Sequence, residues 1–263
     1  MATDTHTDVC IRGDIEPTHG DIDTSGNVII AGSVPGGLTI RAGGNVEVQG
    51  HIDGTQILAR GNVTIGGRLG GGRVRAGGCL TVGSEPATRI VDGGEAFAVG
   101  SVELRGEVGP SSTTPATIGL LADPETTARL GKAEEGLAFI ENEMVRILRT
   151  LGLQTVTKSG VEELFRVTPH NKRKFLIEIL KQLDQLTRSR EQLVSKRGTY
   201  QRHADEHLSG IHLRVLGSVL EGVQVRIGDA VHNVTEVLHA PGFHMADDAV
   251  HWRLGAADTL PTM

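Results

Sequence analysis

Two histidines in the second half of the chain have a spacing that could support metal chemistry. His203 and His207 belong to the segment His-Ala-Asp-Glu-His, which fits the H-x-x-E-H pattern of some zinc peptidases. On a helix this spacing places both imidazoles on one face, where they could hold zinc together with a third ligand. The sequence offers no evident third ligand or pocket, and short matches arise by chance in a chain with 11 histidines. We therefore assign no metal, and His203 and His207 stay weak candidates.

A short basic run could bind a partner. His170, Lys172, Arg173 and Lys174 lie within five consecutive residues. Such a cluster could dock a protein partner or an anionic surface, or it could form an ordinary solvated helix face. We treat these four residues as candidate partner-binding positions.

The first part of the chain carries an apolar residue at every sixth position. The series is Ile22, Val28, Val34, Ile40, Val46 and Ile52. A period of six fits neither a helix nor a simple hairpin, but it arises when a chain winds around a three-sided column with one short strand per side. Gly-Asn-Val also recurs at 26–28, 44–46 and 61–63, with steps of 18 and 17 residues. Repetition on this scale indicates a solenoid.

Aligned coils of such a solenoid form columns of like residues. One column is Val28, Val46, Val63, Leu80 and Val102, and a second is Ala42, Ala59, Ala76 and Ala98. Because side chains alternate along a strand, these residues are expected inside and the polar residues between them outside. Asn27, Asn45 and Asn62 stand at one corner of successive coils, where we predict a hydrogen-bonded ladder.

Residues 123–208 have a helical rather than a six-residue period. Asp123-Pro124 favours a helix start, and apolar residues then recur in alternating steps of three and four from Leu130 to Leu151. A second series runs from Leu176 to Tyr200, and the two are joined by a tip of roughly residues 153–167. Residues 123–152 carry 4 basic and 6 acidic side chains, whereas residues 170–202 carry 9 basic and 3 acidic ones. These features predict an antiparallel coiled-coil hairpin.

Composition excludes several classes of protein. The net charge of −6 gives no general argument for nucleic acid, no apolar run reaches the ~18 residues of a membrane span, and Met1–Asp8 has no signal-peptide core. Cys10 and Cys79 are the only cysteines and fall on different coils, so a disulfide is not expected and a reducing compartment fits. We expect a soluble, cytoplasmic chain without a transmembrane segment.

The coils and the inserted helices together resemble the flagellar assembly protein A (FapA) family of bacteria. The resemblance is carried by residues 40–50, 57–65 and 74–78, and by Gly-Val-Gln-Val-Arg-Ile-Gly-Asp-Ala-Val at 222–231. It implies a β-solenoid domain without a catalytic centre, linked to flagellar assembly, polar localisation and contact with a sugar-phosphotransferase component. The solenoid also resembles the C-terminal domain of the cell-division inhibitor MinC and the bactofilins, which are assembly modules.

Two alternatives stay open beside that resemblance. Hexapeptide-type acyltransferases also wind an apolar residue every six positions, as trimers with a cofactor groove between columns, and His51 would be the best candidate for their catalytic histidine. Against this class, Asp23, Arg41 and Glu47 follow the apolar anchors where such coils favour small residues. Handedness would separate the two, because hexapeptide columns are left-handed and other parallel crossovers are right-handed by strong default. A polymer-forming, bactofilin-like cytoskeletal solenoid is the other alternative.

The predicted fold is mainly β, a three-sided parallel right-handed β-solenoid with an inserted antiparallel coiled-coil hairpin. We predict a disordered N-terminus at 1–7, coils at 8–122, the hairpin at 123–208, final coils at 209–240 and a C-terminal cap or tail at 241–263. The predicted function is that of a non-enzymatic scaffold, without catalytic residues or cofactor. Its expected contacts are protein partners or self-association, through the hairpin or the solenoid ends, and not nucleic acid.

Overall fold

The structure is a computed structural model of the chain, and it describes residues 7–84, 88–155 and 157–254. Residues 1–6 of the predicted disordered N-terminus lie outside the described residues, and so do residues 255–263 of the predicted tail. In chain order the strands before the helices are β1 (Val9–Ile11), β2 (Ile22–Thr24), β3 (Val28–Ile30), β4 (Thr39–Ala42), β5 (Val46–Val48), β6 (Ile52–Asp53), β7 (Gln56–Ala59), β8 (Val63–Ile65), β9 (Leu69–Gly70), β10 (Arg73–Ala76), β11 (Leu80–Val82), β12 (Arg89–Asp92), β13 (Gly94–Ala98), β14 (Val102–Leu104), β15 (Glu107–Gly109) and β16 (Ala116–Leu120). The helices and the remaining strands are α1 (Pro124–Leu151), α2 (Lys158–Val167), α3 (Arg173–Gly210), β17 (Leu213–Val215), β18 (Ser218–Val219), β19 (Gln224–Ile227), β20 (Ala230–Asn233), β21 (Leu238–His239), β22 (Pro241–Ala246) and β23 (Ala249–Leu254).

The strands form three sheets that the chain visits in rotation. The first sheet has the order β1-β3-β5-β8-β11-β14-β17-β22-β23, and the second has the order β2-β4-β7-β10-β13-β16-β19-β20. The third has the order β21-β18-β15-β12-β9-β6. From β1 to β19 every described pairing is parallel, so each turn of the chain adds one strand to a side. The predicted three-sided parallel β-solenoid is confirmed.

The register of the sheets reproduces the columns expected from the repeat. In the first sheet Val28 pairs with Val46, Val46 with Val63, Val63 with Leu80, and Leu80 with Val102. These five side chains are at most 1% exposed. Fully burying an aliphatic side chain of this size contributes about 1.5–3 kcal/mol, so the stacked interior supplies the main driving force for the solenoid.

The helices interrupt the solenoid without changing its register. Val102 in β14 pairs in parallel with Leu213 in β17, although residues 124–205 lie between them in the chain. Likewise β19 pairs in parallel with β16. The chain divides into two compact units, one made of residues 1–123 and 206–263 and the other of residues 124–205. The first unit therefore consists of coils from both sides of the inserted helices.

The helical unit contains an apolar series on each of its two long helices. Ala133, Leu137, Ile140 and Ile147 are buried on α1, as are Leu176 and Leu183 on α3. Arg190 Nε on α3 donates to Glu141 Oε1 on α1 at 3.1 Å. Helix α1 begins at Pro124, where the Asp-Pro start was expected, and ends before Gly152, which has φ of +69°.

A third helix, α2, occupies the segment expected to be only a connecting tip. Its N-cap is Thr157, whose hydroxyl accepts from the Gly160 backbone N–H at 3.1 Å. The cap satisfies one of the amides left free in the first turn of a helix. Half-buried Val161, Leu164 and Phe165 then follow at helical spacing.

The parallel winding ends at Ile227, and the chain then turns back on itself. Strand β20 pairs antiparallel with β19, β21 with β18, and β22 with β17. Each side of the last parallel turn therefore receives one antiparallel strand, and β23 extends the first sheet beyond β22. Final coils had been expected to continue to residue 240, whereas the structure has antiparallel strands from Ala230. The antiparallel strands begin where a two-residue loop, Gly228-Asp229, joins β19 to β20.

Candidate functional site

One corner of the solenoid is lined by the three predicted ladder asparagines. The side-chain oxygen Oδ1 of Asn27 accepts from the Asn45 backbone N–H, and Oδ1 of Asn45 accepts from the Asn62 N–H, each at 2.8 Å. Oδ1 of Asn62 accepts from the Cys79 N–H at 2.8 Å, and Asp8 plays the same part toward the Asn27 N–H at 2.7 Å. Each side chain thus supplies an acceptor for a backbone amide of the next turn, a group that the parallel strands leave unpaired at the corner.

A second corner carries an equivalent ladder that the sequence analysis missed. Asp14 Oδ1 accepts from the Ser33 N–H at 2.6 Å, Ser33 Oγ accepts from the His51 N–H at 3.0 Å, and His51 Nδ1 accepts from the Arg68 N–H at 2.9 Å. The acceptors differ in chemical type, so no repeated residue marked them. A usable signal was present, since Gly13, Gly32, Gly50 and Gly67 directly precede these four positions.

The glycines at this second corner permit close contact between turns. A Cβ built on Gly50 would lie 2.6 Å from the backbone carbon and oxygen of Gly32 in the preceding turn. A Cβ atom does not approach non-bonded atoms that closely, so a side chain here would push the turns apart. Glycine at the corner is therefore a requirement of stacking.

His51, the candidate catalytic histidine of the acyltransferase alternative, has a place in this ladder. Its Nδ1 is occupied as an acceptor for the Arg68 N–H. A neutral imidazole that accepts at Nδ1 carries its proton on Nε2, so His51 in this arrangement has no free ring nitrogen to act as a general base. The geometry thus gives His51 a structural use at the corner.

Charged side chains form a chain of ion pairs along the third sheet. Arg68 lies 3.0 Å from Asp53 and 3.6 Å from Asp92, and Arg89 lies 3.6 Å from Asp92 and 3.4 Å from Glu107. These groups are partly exposed, so each pair contributes at most about 1 kcal/mol. On the second sheet Arg73 pairs with Glu95 at 2.7 Å, and the hydrogen bond and charge of Glu95 raise the pKa of Arg73. Ion pairs therefore connect successive turns on the outer surface of the second and third sheets.

The four candidate partner-binding residues surround the start of α3. His170 and Lys172 belong to a short 3-10 turn, and Lys174 lies in the first turn of the helix. All three are exposed, whereas Arg173 is half-buried and its Nε donates to the Thr168 carbonyl at 3.3 Å. Phe175, directly after them, is 67% exposed. Three exposed basic residues therefore precede an exposed aromatic side chain in the sequence.

The two histidines of the zinc-like motif differ in their surroundings. His203 is exposed, whereas His207 is half-buried with Nε2 2.8 Å from the Val99 carbonyl oxygen. A carbonyl accepts only, so Nε2 carries the proton and donates it. Within residues 7–84, 88–155 and 157–254, no group of three His, Cys, Asp or Glu side chains is placed to hold a metal ion. His207 is thus hydrogen-bonded to the backbone of Val99, the residue directly after β13.

Parallel coils, corner ladders and corner glycines define a class of protein, the parallel β-solenoids. Within that class, residues 7–84 match the family model described as the Flagellar Assembly Protein A beta solenoid domain. The match extends from β1 to the turn after β11, and it confirms the resemblance to the FapA family, a family of flagellar assembly proteins. Comparison with curated proteins and with solved structures found no match. None of the described helices is both long and apolar enough to cross a membrane.

Proposed function

We propose that the protein is a non-enzymatic scaffold of the FapA type, linked to flagellar assembly or polar localisation. The observation that carries the proposal is the family match at residues 7–84, which falls on coils held in unbroken parallel register. A solenoid of this kind is a rigid support, because each turn is bonded to the next along all three sheets and at its corners. Such a support is suited to holding partners at fixed positions.

The use of the candidate catalytic groups favours a scaffold over an enzyme. Nδ1 of His51 accepts a backbone amide, and Nε2 of His207 donates to a backbone carbonyl. Both nitrogens therefore stabilise the fold through hydrogen bonds to its backbone. The proposal includes a right-handed winding, because parallel crossovers are generally right-handed. Hexapeptide columns are left-handed, so this winding would distinguish the coils from them.

We assign the role of contact arm to the helical unit, as an antiparallel coiled-coil hairpin. Support comes from the buried series on α1 and α3, from the Glu141–Arg190 ion pair, and from Leu193, whose Cδ1 would lie 3.0 Å from a Cβ on Gly136. At about 1.5 Å per residue, α1 is long enough to extend roughly 42 Å. A helix pair of that length offers a large surface to a partner or to a second copy.

The proposed partner is a protein, and the proposed location is the cytoplasm. Lys172 and Lys174 are exposed and have no ion pair among the described residues, and both closely precede Phe175, which is exposed. Aromatic side chains are enriched in protein-binding surfaces, which favours a protein as the partner. Cys10 and Cys79 are both free and exposed, which suits a reducing compartment.

The experiment that tests the contact arm compares the full chain with a variant in which residues 124–205 are replaced by a short loop. The boundary keeps His207, with its bond to Val99, and buried Leu208 in the solenoid unit. Light scattering gives the mass of each, and electron microscopy shows any polymer. We expect the full chain to form a defined monomer or dimer, and the variant to lose whatever self-association the full chain has.

Two other results would replace the proposal with an alternative. Filaments from both proteins would identify the solenoid ends as the contact surface and favour a bactofilin-like polymer. A stable trimer of both, with turnover of an acyl-CoA, would favour a hexapeptide-type acyltransferase. In the source bacterium, we expect loss of the gene to reduce flagella or misplace them, and the variant lacking residues 124–205 to fail in restoring them.

A further inference from the structure

An open cavity lies on the C-terminal end of the first sheet, away from the corner ladders and the candidate histidines. Its volume is about 370 Å³, and it is lined by β17, β22 and β23. The polar side chains of the lining are His212, Arg214, His244 and Arg253. A cavity of this size falls at the lower end of the range for small-molecule sites, about 300–1,000 Å³.

The sheet register explains why the cavity exists. Arg214 pairs with Gly242, and Gly242 pairs with Arg253, so the three residues form one row across three adjacent strands. Residues in one row face the same side of a sheet, and strands lie about 4.8 Å apart. Two guanidinium side chains thus stand on either side of a residue without a side chain. A Cβ built on Gly242 would have no atom within 4 Å, so the space above it is open.

The cavity carries positive charge that the described residues do not neutralise. Neither Arg214 nor Arg253 forms an ion pair with any of them, unlike Arg68, Arg73 and Arg89 on the other two sheets. All four ionisable groups of the lining are basic.

The acidic residues on or beside these strands do not alter this balance. Glu103 occupies the same row one strand before Arg214, and its Oε1 already accepts from Arg105 Nε at 2.6 Å. Asp247 and Asp248 form the turn at the opposite end of the β22–β23 hairpin. The two arginines are therefore available to a bound anion.

We propose that this cavity binds a small organic anion that carries a phosphate group. Guanidinium groups are planar, remain charged and match the oxygens of a phosphate in paired hydrogen bonds. The open space above Gly242 lets the ligand approach the backbone, and the apolar atoms of Ala240 and Leu254 in the lining suit the organic body of a phosphate ester. This binding proposal is argued from the cavity alone, so it does not depend on whether the protein is a scaffold.

Calorimetry measures binding at this site directly, and the fluorescence of a tryptophan next to it in the chain gives a second signal. Trp252 is the only tryptophan, it pairs with Phe243 across β22 and β23, and it directly precedes Arg253. We would titrate the full chain with inorganic phosphate and with phenyl phosphate at constant ionic strength, following Trp252 fluorescence, and measure heats of binding in parallel. Tighter binding of phenyl phosphate would assign the site to phosphate esters. Equal affinity would assign it to free phosphate, and the ester part of the proposal would then be wrong.

Matched variants test whether binding uses the proposed residues. Arg214→Gln and Arg253→Gln should each weaken binding about tenfold, the usual scale for one charge-assisted contact. Arg75→Gln should leave affinity unchanged, because Arg75 is an exposed arginine of the second sheet that forms no ion pair with any described residue. Glu103→Gln should strengthen binding, since it removes the nearest carboxylate in the row.

Gly242→Leu tests the cavity independently of its charge. Gly242 is not among the residues with positive φ and has open space above it, so the fold should accept leucine there. We expect the thermal unfolding midpoint to stay the same and phenyl phosphate binding to be lost. The proposal is overturned if the wild-type chain shows no saturable binding of either probe, if Arg75→Gln weakens binding as much as Arg214→Gln, or if Gly242→Leu binds normally.

Discussion

Replacing Asn45 tests whether the corner ladder stabilises the solenoid. In Asn45→Ala the Asn62 N–H loses an acceptor that now lies 2.8 Å away. A buried amide without a partner would cost about 1–3 kcal/mol, but Asn45 and Asn62 are exposed, so water can replace the lost bond. We therefore expect a loss of about 0.5–1.5 kcal/mol, the net value of an ordinary hydrogen bond.

Two measurements are suited to an effect of this size. For a domain of 150–250 residues, 1 kcal/mol corresponds to about 2–4 °C in the melting midpoint, which circular dichroism resolves. Amide hydrogen exchange reports the site itself. The Asn62 amide should exchange faster by about 2- to 12-fold, because 1.4 kcal/mol is a factor of ten.

Two companion variants separate the ladder from other effects of the change. Asn45→Asp keeps an acceptor oxygen at the same place, so protection of the Asn62 amide should survive. Glu47→Ala alters a nearby exposed side chain with no hydrogen bond among the described residues, and should change neither measurement. Unchanged exchange at Asn62 in Asn45→Ala, or equal destabilisation by Asn45→Asp, would show that Asn45 is an ordinary turn residue.

Three further predictions concern stacking, the interior and the C-terminal end. Gly50→Ala should cost about 1–3 kcal/mol in urea unfolding, more than Asn45→Ala, because its Cβ would overlap backbone of the preceding turn; an equal or smaller cost would show that the turns can separate easily. Leu213→Ala should cost about 2–5 kcal/mol, since Leu213 is fully buried in the first strand after the helices, whereas Leu254→Ala, at a side chain 59% exposed, should change stability by less than about 0.5 kcal/mol. Ending the chain at residue 229 should expose the strand edges of the last parallel turn and produce concentration-dependent association in light scattering; a stable monomer at high concentration would contradict this.

The columns could be predicted from sequence because stacking repeats the same environment at every turn. Val28, Val46 and Val63 experience the same neighbours above and below, so one residue type suits all three positions. The ladder of Asp14, Ser33 and His51 escaped prediction because that corner requires only an acceptor atom. A carboxylate, a hydroxyl and an imidazole nitrogen all meet the requirement, and no pattern of residue types results.

The antiparallel end was missed for a different reason. Alternation of period two in residues 224–233 is the same whether the next strand runs parallel or antiparallel. The information lay in the turns. Gly228-Asp229 is a two-residue connection of the kind that closes hairpins, and Asp247 and Asp248, at φ of +48° and +58°, form the turn between β22 and β23. Both positive angles fit a type I′ turn, which favours Asp at such positions.

The cavity beside Gly242 could not have been found from the sequence. Arg214 and Arg253 are far apart in the chain, and they become neighbours in a row only because β22 returns along β17. That pairing depends on the reversal of direction after Ile227. A prediction in which the parallel coils continued would place Arg214 and Arg253 on separate turns.

The insertion of the helices also sets the order of events during synthesis. Strands β14, β15 and β16 are complete once residue 120 has been made, but the strands that cover their free edges begin only at Leu213. At about 5–20 residues per second, the ribosome needs roughly 5–20 s to produce the intervening segment. Throughout that interval the nascent chain carries a growing end with three unpaired strand edges, which is when capture by a chaperone or by a neighbouring nascent chain would occur.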